Sequence, residues 1–224
     1  MALKLRGMHS DKYQVRRHRL IEHLRGEGIR NEAVLAAMEA TPRHLFVGDE
    51  LIGSAYEDRA LPIGEEQTIS QPYIVALMSE MSMGGEAGLG KVLEIGTGCG
   101  YQTAVLAQLF ERVYTVERIA ALQRGARQLL PDLGIDNVEF REGDGFEGWE
   151  EFQPYDAILV TAAPAEMPQR LLEQLACGGR LVIPVGDARQ YLRLVTRTAE
   201  GYEEEKGVAV KFVPMLHGQS PASS

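Results

Sequence analysis

Short apolar runs alternate with stretches of helical apolar spacing along most of this chain. Residues 92–95, 113–116, 137–141, 155–160 and 180–184 read as strands. The runs 92–95 and 155–160 are nearly all apolar, as strands buried on both faces require. Between them the spacing predicts helices over 101–110, with Ala104, Val105, Leu106 and Leu109 on one side, over 119–130, and from Pro168 through Leu171, Leu172 and Leu175. Ahead of them comes an amphipathic helix over 11–26, with Val15, Leu20, Ile21 and Leu24 inward and a solvated basic face of Arg16, Arg17 and Arg19. Asn31 caps a second helix through Val34, Leu35 and Met38, which Thr41-Pro42 stops. A helical turn over 50–55 follows, then a helix over 73–83 started by Pro72, with Ile74, Leu77, Met78 and Met81 inward.

Residues 56–72 break the pattern. They carry many hydrogen-bonding side chains and little periodicity, and Leu61, Ile63 and Ile69 anchor them as an ordered loop. Residues 84–90 form a flexible connector. The chain closes with antiparallel strands over 191–198 and 207–214 around a turn at Glu200-Gly201, with Glu203 to Glu205 as a solvated lead-in, and ends in a polar tail. Strands alternating with helices predict an α/β fold: a doubly wound, mostly parallel sheet with an N-terminal helical addition and an antiparallel edge.

The chain has 224 residues, 45% hydrophobic and 25% charged, which suits one domain over 1–224. A net charge of −9 repels phosphates, so no nucleic-acid partner is expected. No apolar run reaches the roughly 20 residues of a membrane span, and the first residues carry no signal-peptide pattern. Cys99 and Cys177 fall in no metal or redox spacing, and the five histidines are scattered. Reduced thiols in a cytoplasmic protein without a metal are expected. Asp58-Arg59 reads as a surface ion pair in preference to a substrate-side pair.

The stretch Val92-Leu93-Glu94-Ile95-Gly96-Thr97-Gly98-Cys99-Gly100-Tyr101 carries the chemistry. It is a buried strand, a glycine-rich turn and a helix start, the arrangement that binds nucleotides at the carboxyl end of a central strand. The spacing is G-x-G-x-G, not the dinucleotide G-x-G-x-x-G, which disfavours a nicotinamide-dependent oxidoreductase. Glu94 precedes the first glycine by two positions, where a carboxylate suits a cationic ligand and repels a pyrophosphate. Glu117 ends the next strand, where its two oxygens can accept both ribose hydroxyls. S-adenosyl-L-methionine, with a sulfonium, an ammonium and no phosphate, fits this pattern. A methyltransferase acting on a small molecule or RNA, or a non-catalytic domain that keeps the cofactor fold, would share the loop.

The chain also resembles the protein-L-isoaspartate O-methyltransferase family, from about Arg19 to Val213. The segments that carry the resemblance are Thr41-Pro42-Arg43-His44-Leu45-Phe46-Val47, Ala60-Leu61-Pro62-Ile63-Gly64, Gln67-Thr68-Ile69-Ser70-Gln71-Pro72-Tyr73, the loop from Leu93 to Thr103, Val116-Glu117-Arg118, Gly143-Asp144-Gly145, residues 158–164 and Leu181-Val182-Ile183-Pro184-Val185-Gly186. The Thr-Ile-Ser-Gln-Pro and Leu-Pro-Ile-Gly segments are far more specific than the loop, which many methyltransferases share. The resemblance implies a class I methyltransferase, with residues 11–83 as the helical and active-site-loop region and 90–214 as the cofactor-binding core. It implies methyl transfer from S-adenosyl-L-methionine to the free α-carboxylate of L-isoaspartyl residues in damaged proteins, by a cytoplasmic, monomeric enzyme. Ser70 maps onto the catalytic serine, with Thr68 as an assisting hydroxyl. The implied cofactor site comprises Thr68, Ile69, Ser70 and Gln71, then Glu94, Gly96, Thr97 and Gly98, then Glu117 and Arg118, and finally Asp144 and Gly145. Asp144 is expected to accept from the adenine amino group. One departure is that Val213-Pro214 leads into Met215-Leu216-His217, where some members carry a hydroxyl residue.

Overall fold

A computed structural model describes residues 11–84 and 89–218. The connector expected over 84–90 and the terminal tail lie partly outside those residues. Seven strands form the main sheet: β3 (Leu89–Ile95), β4 (Phe110–Glu117), β5 (Val138–Glu142), β6 (Tyr155–Val160), β7 (Leu175–Val185), β8 (Gln190–Arg197) and β9 (Tyr202–Val210). Their order is β5-β4-β3-β6-β7-β8-β9. The pairs from β5 to β7 are parallel, and β7–β8 and β8–β9 are antiparallel. β3 is flanked by β4 and β6, with Ile95 opposite both Val116 and Val160. Strand order reverses there, so the connections leave toward opposite faces and open a crevice beyond the strand ends.

The period of two in β3 divides the core. Val92 faces the larger apolar cluster, with Val113, Leu159 and Val182, while Leu93 and Ile95 face a smaller one, with Tyr114, Ile158 and Leu181. The helices α1 (Asp11–Gly26), α2 (Glu32–Ala40), α3 (Pro72–Met83) and α4 (Tyr101–Leu106) add their buried apolar residues to the larger cluster. α5 (Ala120–Asp132) adds Leu130 to it, and α6 (Gln169–Glu173) packs Leu171 and Leu172 into the smaller one. Asn31 caps α2 as expected, accepting from the amides of Ala33 and Val34.

The structure departs from the sequence reading at several places. The expected loop over 56–72 holds a hairpin, β1 (Leu61–Gly64) with β2 (Gln67–Ile69), in which Leu61 faces Ile69 and Pro62 faces Thr68. Its turn residues Glu65 and Glu66 both take positive φ, 51° and 57°, so a two-residue turn forms without the Asn-Gly pair that normally signals one. Val15 is half exposed rather than packed. Ile74, Leu77 and Met81 are only partly buried, whereas Val75, Ala76, Ser79 and Ser82 are fully buried. α3 runs between the sheet and α2, and its small side chains allow close approach on both sides. α4 stops at Leu106, because Leu109 N–H turns back to the Leu106 carbonyl and β4 starts at Phe110. β7 begins at Leu175, its register shifted around Gly178-Gly179. β9 begins at Tyr202, pairing with β8 through Glu203 to Glu205, and ends at Val210 rather than Pro214. Among the described residues no helix is long and apolar enough to cross a membrane.

Candidate active site

The loop after β3 is held in a shape that depends on glycine. Gly96 N–H donates to the Val116 carbonyl at 2.8 Å. Gly96 has φ +98°, and a Cβ there would lie 2.3 Å from Thr161 Oγ1. That hydroxyl is fixed, its one proton shared between the Ile95 and Gly96 carbonyls at 3.0 and 2.8 Å. Only glycine meets both conditions. Glu117, nearly fully buried at the end of β4, accepts Gly98 N–H on one oxygen and Ile119 N–H on the other, both at 2.9 Å. Each carboxylate oxygen keeps further acceptor capacity, and the side chain lines the cavity beside the loop.

That cavity has a volume of about 220 Å³. Of the expected site residues, Thr68, Ile69, Ser70, Gly96, Thr97, Gly98, Glu117, Arg118 and Gly145 line it. Its carboxylates are Glu66 and Glu117 and its one cationic side chain is Arg118, with Ile95, Val116 and Ile119 as apolar walls. This donor set suits a cationic nucleoside with a free diol and not a polyphosphate. A Cβ on Gly145 would lie 2.4 Å from Ile95 Cγ2, so the backbone there comes up against the cavity wall without a side chain.

Three expected cofactor residues do not line this cavity. Glu94 is fully buried beneath the loop. Its Oε2 accepts from Thr103 and Thr115 hydroxyls, both at 2.6 Å, and its Oε1 has no partner. Thr115 shares a 2.7 Å hydroxyl contact with Thr97, so Glu94 reaches the cavity only through the loop. Burial raises its carboxyl to about 8; the two threonine hydroxyls oppose this, and the charge of Glu117 adds to it. Asp144 accepts Phe146 N–H on one oxygen and Gly218 N–H on the other, with His217 Nδ1 at 3.2 Å. Burial acts to raise its carboxyl, but these contacts prevail and hold it below its ordinary value. Gln71 faces a second, adjoining cavity and donates to Asp58 Oδ2 at 2.9 Å.

The second cavity has a volume of about 540 Å³ and opens between Asp58, Arg59 and Ile74 on one side and 209–213 on the other. Thr68, Ser70, Thr161 and Val213 line both cavities and so form the wall between them. Ser70 is half-buried, and its hydroxyl takes no hydrogen bond among the described residues. The expected Asp58–Arg59 pair is absent. Arg59 pairs with Glu57 at 2.6 Å, while Asp58 Oδ1 accepts Tyr73 N–H at 2.8 Å in the first turn of α3. Asp58 therefore serves that helix start.

The sequence reading missed Thr161, the segment 213–216 and Glu66, which line the cavity. Thr161 follows β6, a strand flanking the switch point, and that position was a usable signal. The tail reaches the cavity because Ala163 N–H donates to the Val213 carbonyl and Met215 N–H to the Ala163 carbonyl, both at 2.8 Å. No local pattern announces that pairing.

Comparison with known proteins agrees with this geometry. Residues 15–220 match the family model for protein-L-isoaspartate(D-aspartate) O-methyltransferase. Proteins named protein-L-isoaspartate O-methyltransferase from Pseudomonas paraeruginosa and Pseudomonas aeruginosa are 56% identical over 203 residues, covering 90% of this chain and 96% of theirs. A solved protein-L-isoaspartate O-methyltransferase superposes with TM-score 0.80 at 32% identity, over 88% of this chain and 65% of that longer one. A Plasmodium falciparum structure of the same description, in complex with S-adenosyl-L-homocysteine, superposes with TM-score 0.79 at 26% identity, over 89% of this chain and 98% of that one. With a family match across nearly its whole length, this chain belongs to the protein-L-isoaspartate(D-aspartate) O-methyltransferase family.

Proposed function

We propose that this enzyme methylates the free α-carboxylate of L-isoaspartyl residues in damaged proteins, and that Ser70 orients that carboxylate. The observation that carries the reading is the shared wall: Ser70 and Thr68 border the cofactor cavity on one side and the wider cleft on the other. S-adenosyl-L-methionine supplies an electrophilic methyl on a sulfonium. The Gly96–Gly98 backbone, the Glu117 carboxylate and the Gly145 backbone are the groups that would hold it, with Ile69 and Val75 as apolar lining.

The accepting carboxylate has an ordinary pKa of about 3.5 to 4 and is ionised at neutral pH, so no general base is required. The chain's task is to align that carboxylate and exclude water. A hydroxyl suits this, because it donates to one carboxylate oxygen and leaves the other free to attack. The ester then closes to a succinimide without the enzyme, as the backbone amide nitrogen of the following residue attacks the ester carbonyl, loses its proton and expels methanol. Free Cys99 and Cys177 suit a reducing compartment such as the cytoplasm.

The test uses radiolabelled S-adenosyl-L-methionine and two matched peptides, one with L-isoaspartate and one with L-aspartate at the same position. Base-labile label on the first alone is expected; equal label on both, or on neither, refutes the assignment. Ser70→Ala is expected to lower turnover by roughly one to three orders of magnitude with cofactor affinity nearly unchanged. Wild-type turnover in that variant removes the role given to Ser70.

A further inference from the structure

Arg43 is the largest fully buried polar side chain, at 0% exposure, in the short 3-10 turn Arg43–Leu45. A buried guanidinium normally pairs with a carboxylate, but Arg43 makes no ion pair among the described residues. Backbone carbonyls and an aromatic face take the place of one. Nη2 donates to the Ser70 carbonyl at 2.7 Å, Nε donates to the Ala55 carbonyl at 3.0 Å, and the guanidinium lies 4.8 Å from the Tyr101 ring centroid. Tyr101 opens α4, directly after the glycine loop, and itself lines the cofactor cavity. One side chain thus ties Ser70 to the helix that carries the cofactor loop. Burial lowers the guanidinium pKa, and the nearby Tyr101, Cys99 and Asp58 oppose that shift.

We propose that Arg43 is a positioning residue for methyl transfer, fixing the Ser70 backbone, and with it the Ser70 hydroxyl, relative to the cofactor loop. The proposal rests on Ser70 as the orienting donor. Its physical basis is the planar fork: two donors on one rigid group reach two carbonyls from different segments at once, while the ring takes the remaining face. Lysine keeps the charge and offers a single nitrogen on a flexible stem, so it cannot hold both carbonyls in register.

The test is a double-mutant cycle of Arg43→Lys and Ser70→Ala, with kcat and KM measured on an isoaspartyl peptide, cofactor affinity by titration, and thermal stability alongside. Arg43→Lys is expected to lower kcat by about 10- to 100-fold, the scale of a misplaced orienting group, with peptide KM and cofactor affinity within a few-fold of wild type. In the Ser70→Ala background the same change is expected to cost only a few-fold, because the hydroxyl it positions is gone. If Arg43→Lys does not fold, Arg43→Gln, which buries no charge, carries the same cycle. Full additivity of the two losses, or wild-type kcat in the folded Arg43 variant, overturns the proposal. Failure of Ser70→Ala alone to lower kcat refutes the Ser70 assignment instead, so the two outcomes are separable.

Discussion

The two walls of the active site are built differently. The cofactor wall is centred on one contiguous stretch, the loop after β3, where Glu117 holds the Gly98 amide from the end of the adjacent strand. The Ser70 wall is assembled from afar: Arg43 holds its carbonyl from 27 residues away, and Asp58 serves the helix start beyond it from 15 residues away. A local wall takes its shape from backbone conformation, whereas a distant one depends on side chains buried in other layers. The first should fail through binding and the second through turnover or stability.

Gly96→Val tests the local wall most harshly. It forces a β-branched residue into a left-handed conformation and against a pinned hydroxyl. A loss of cofactor affinity of roughly 100-fold is expected, read by titration with S-adenosyl-L-homocysteine, with the fold retained. Retained affinity would mean that the loop adapts and that its glycine shape is not decisive.

Glu94 tests the support beneath the same loop. Its folded carboxyl is lifted to about 8 from an ordinary 4.5, so across that interval the unfolded chain releases a proton that the folded chain keeps. Its contribution to stability is therefore full below the lower value, falls as pH rises through the interval and is flat above it. Glu94→Gln is neutral throughout. Wild type should lose stability relative to Glu94→Gln between about pH 5 and pH 8, on the order of 2 kcal/mol, measured by urea unfolding at both ends. A difference that does not change with pH would show that this carboxyl titrates normally.

Asp58→Ala should have the smallest effect, because it removes one charged acceptor from the first turn of α3. About 1 kcal/mol of stability should go, a fall in Tm of about 2–4 °C, while cofactor affinity holds. A loss of cofactor affinity in this variant would blur the distinction between the two walls.

Much of this was legible because it is local. Apolar runs and glycine positions depend on neighbours in the chain, so β3, β4, β6, the loop and Glu117 could be placed from sequence. The β1–β2 hairpin was hidden because two glutamates stand where glycine or asparagine would announce the turn. Glu94 was legible as an acid near a loop, but whether it faces ligand or core depends on which side of β3 each residue takes. The packing of α4 against that side decided for the core, with Thr103 as partner. The placement of Thr161 and of 213–216 against the cavity follows from strand order and the Ala163–Pro214 bridge, and the inward turn of Arg43 from carbonyls of distant segments. Sequence by itself determined which backbone could bend around a nucleoside, because conformational preference is a property of each residue and its neighbours. Only the tertiary structure decided which side chains support that backbone, because a buried contact between distant residues exists only once the layers are in place.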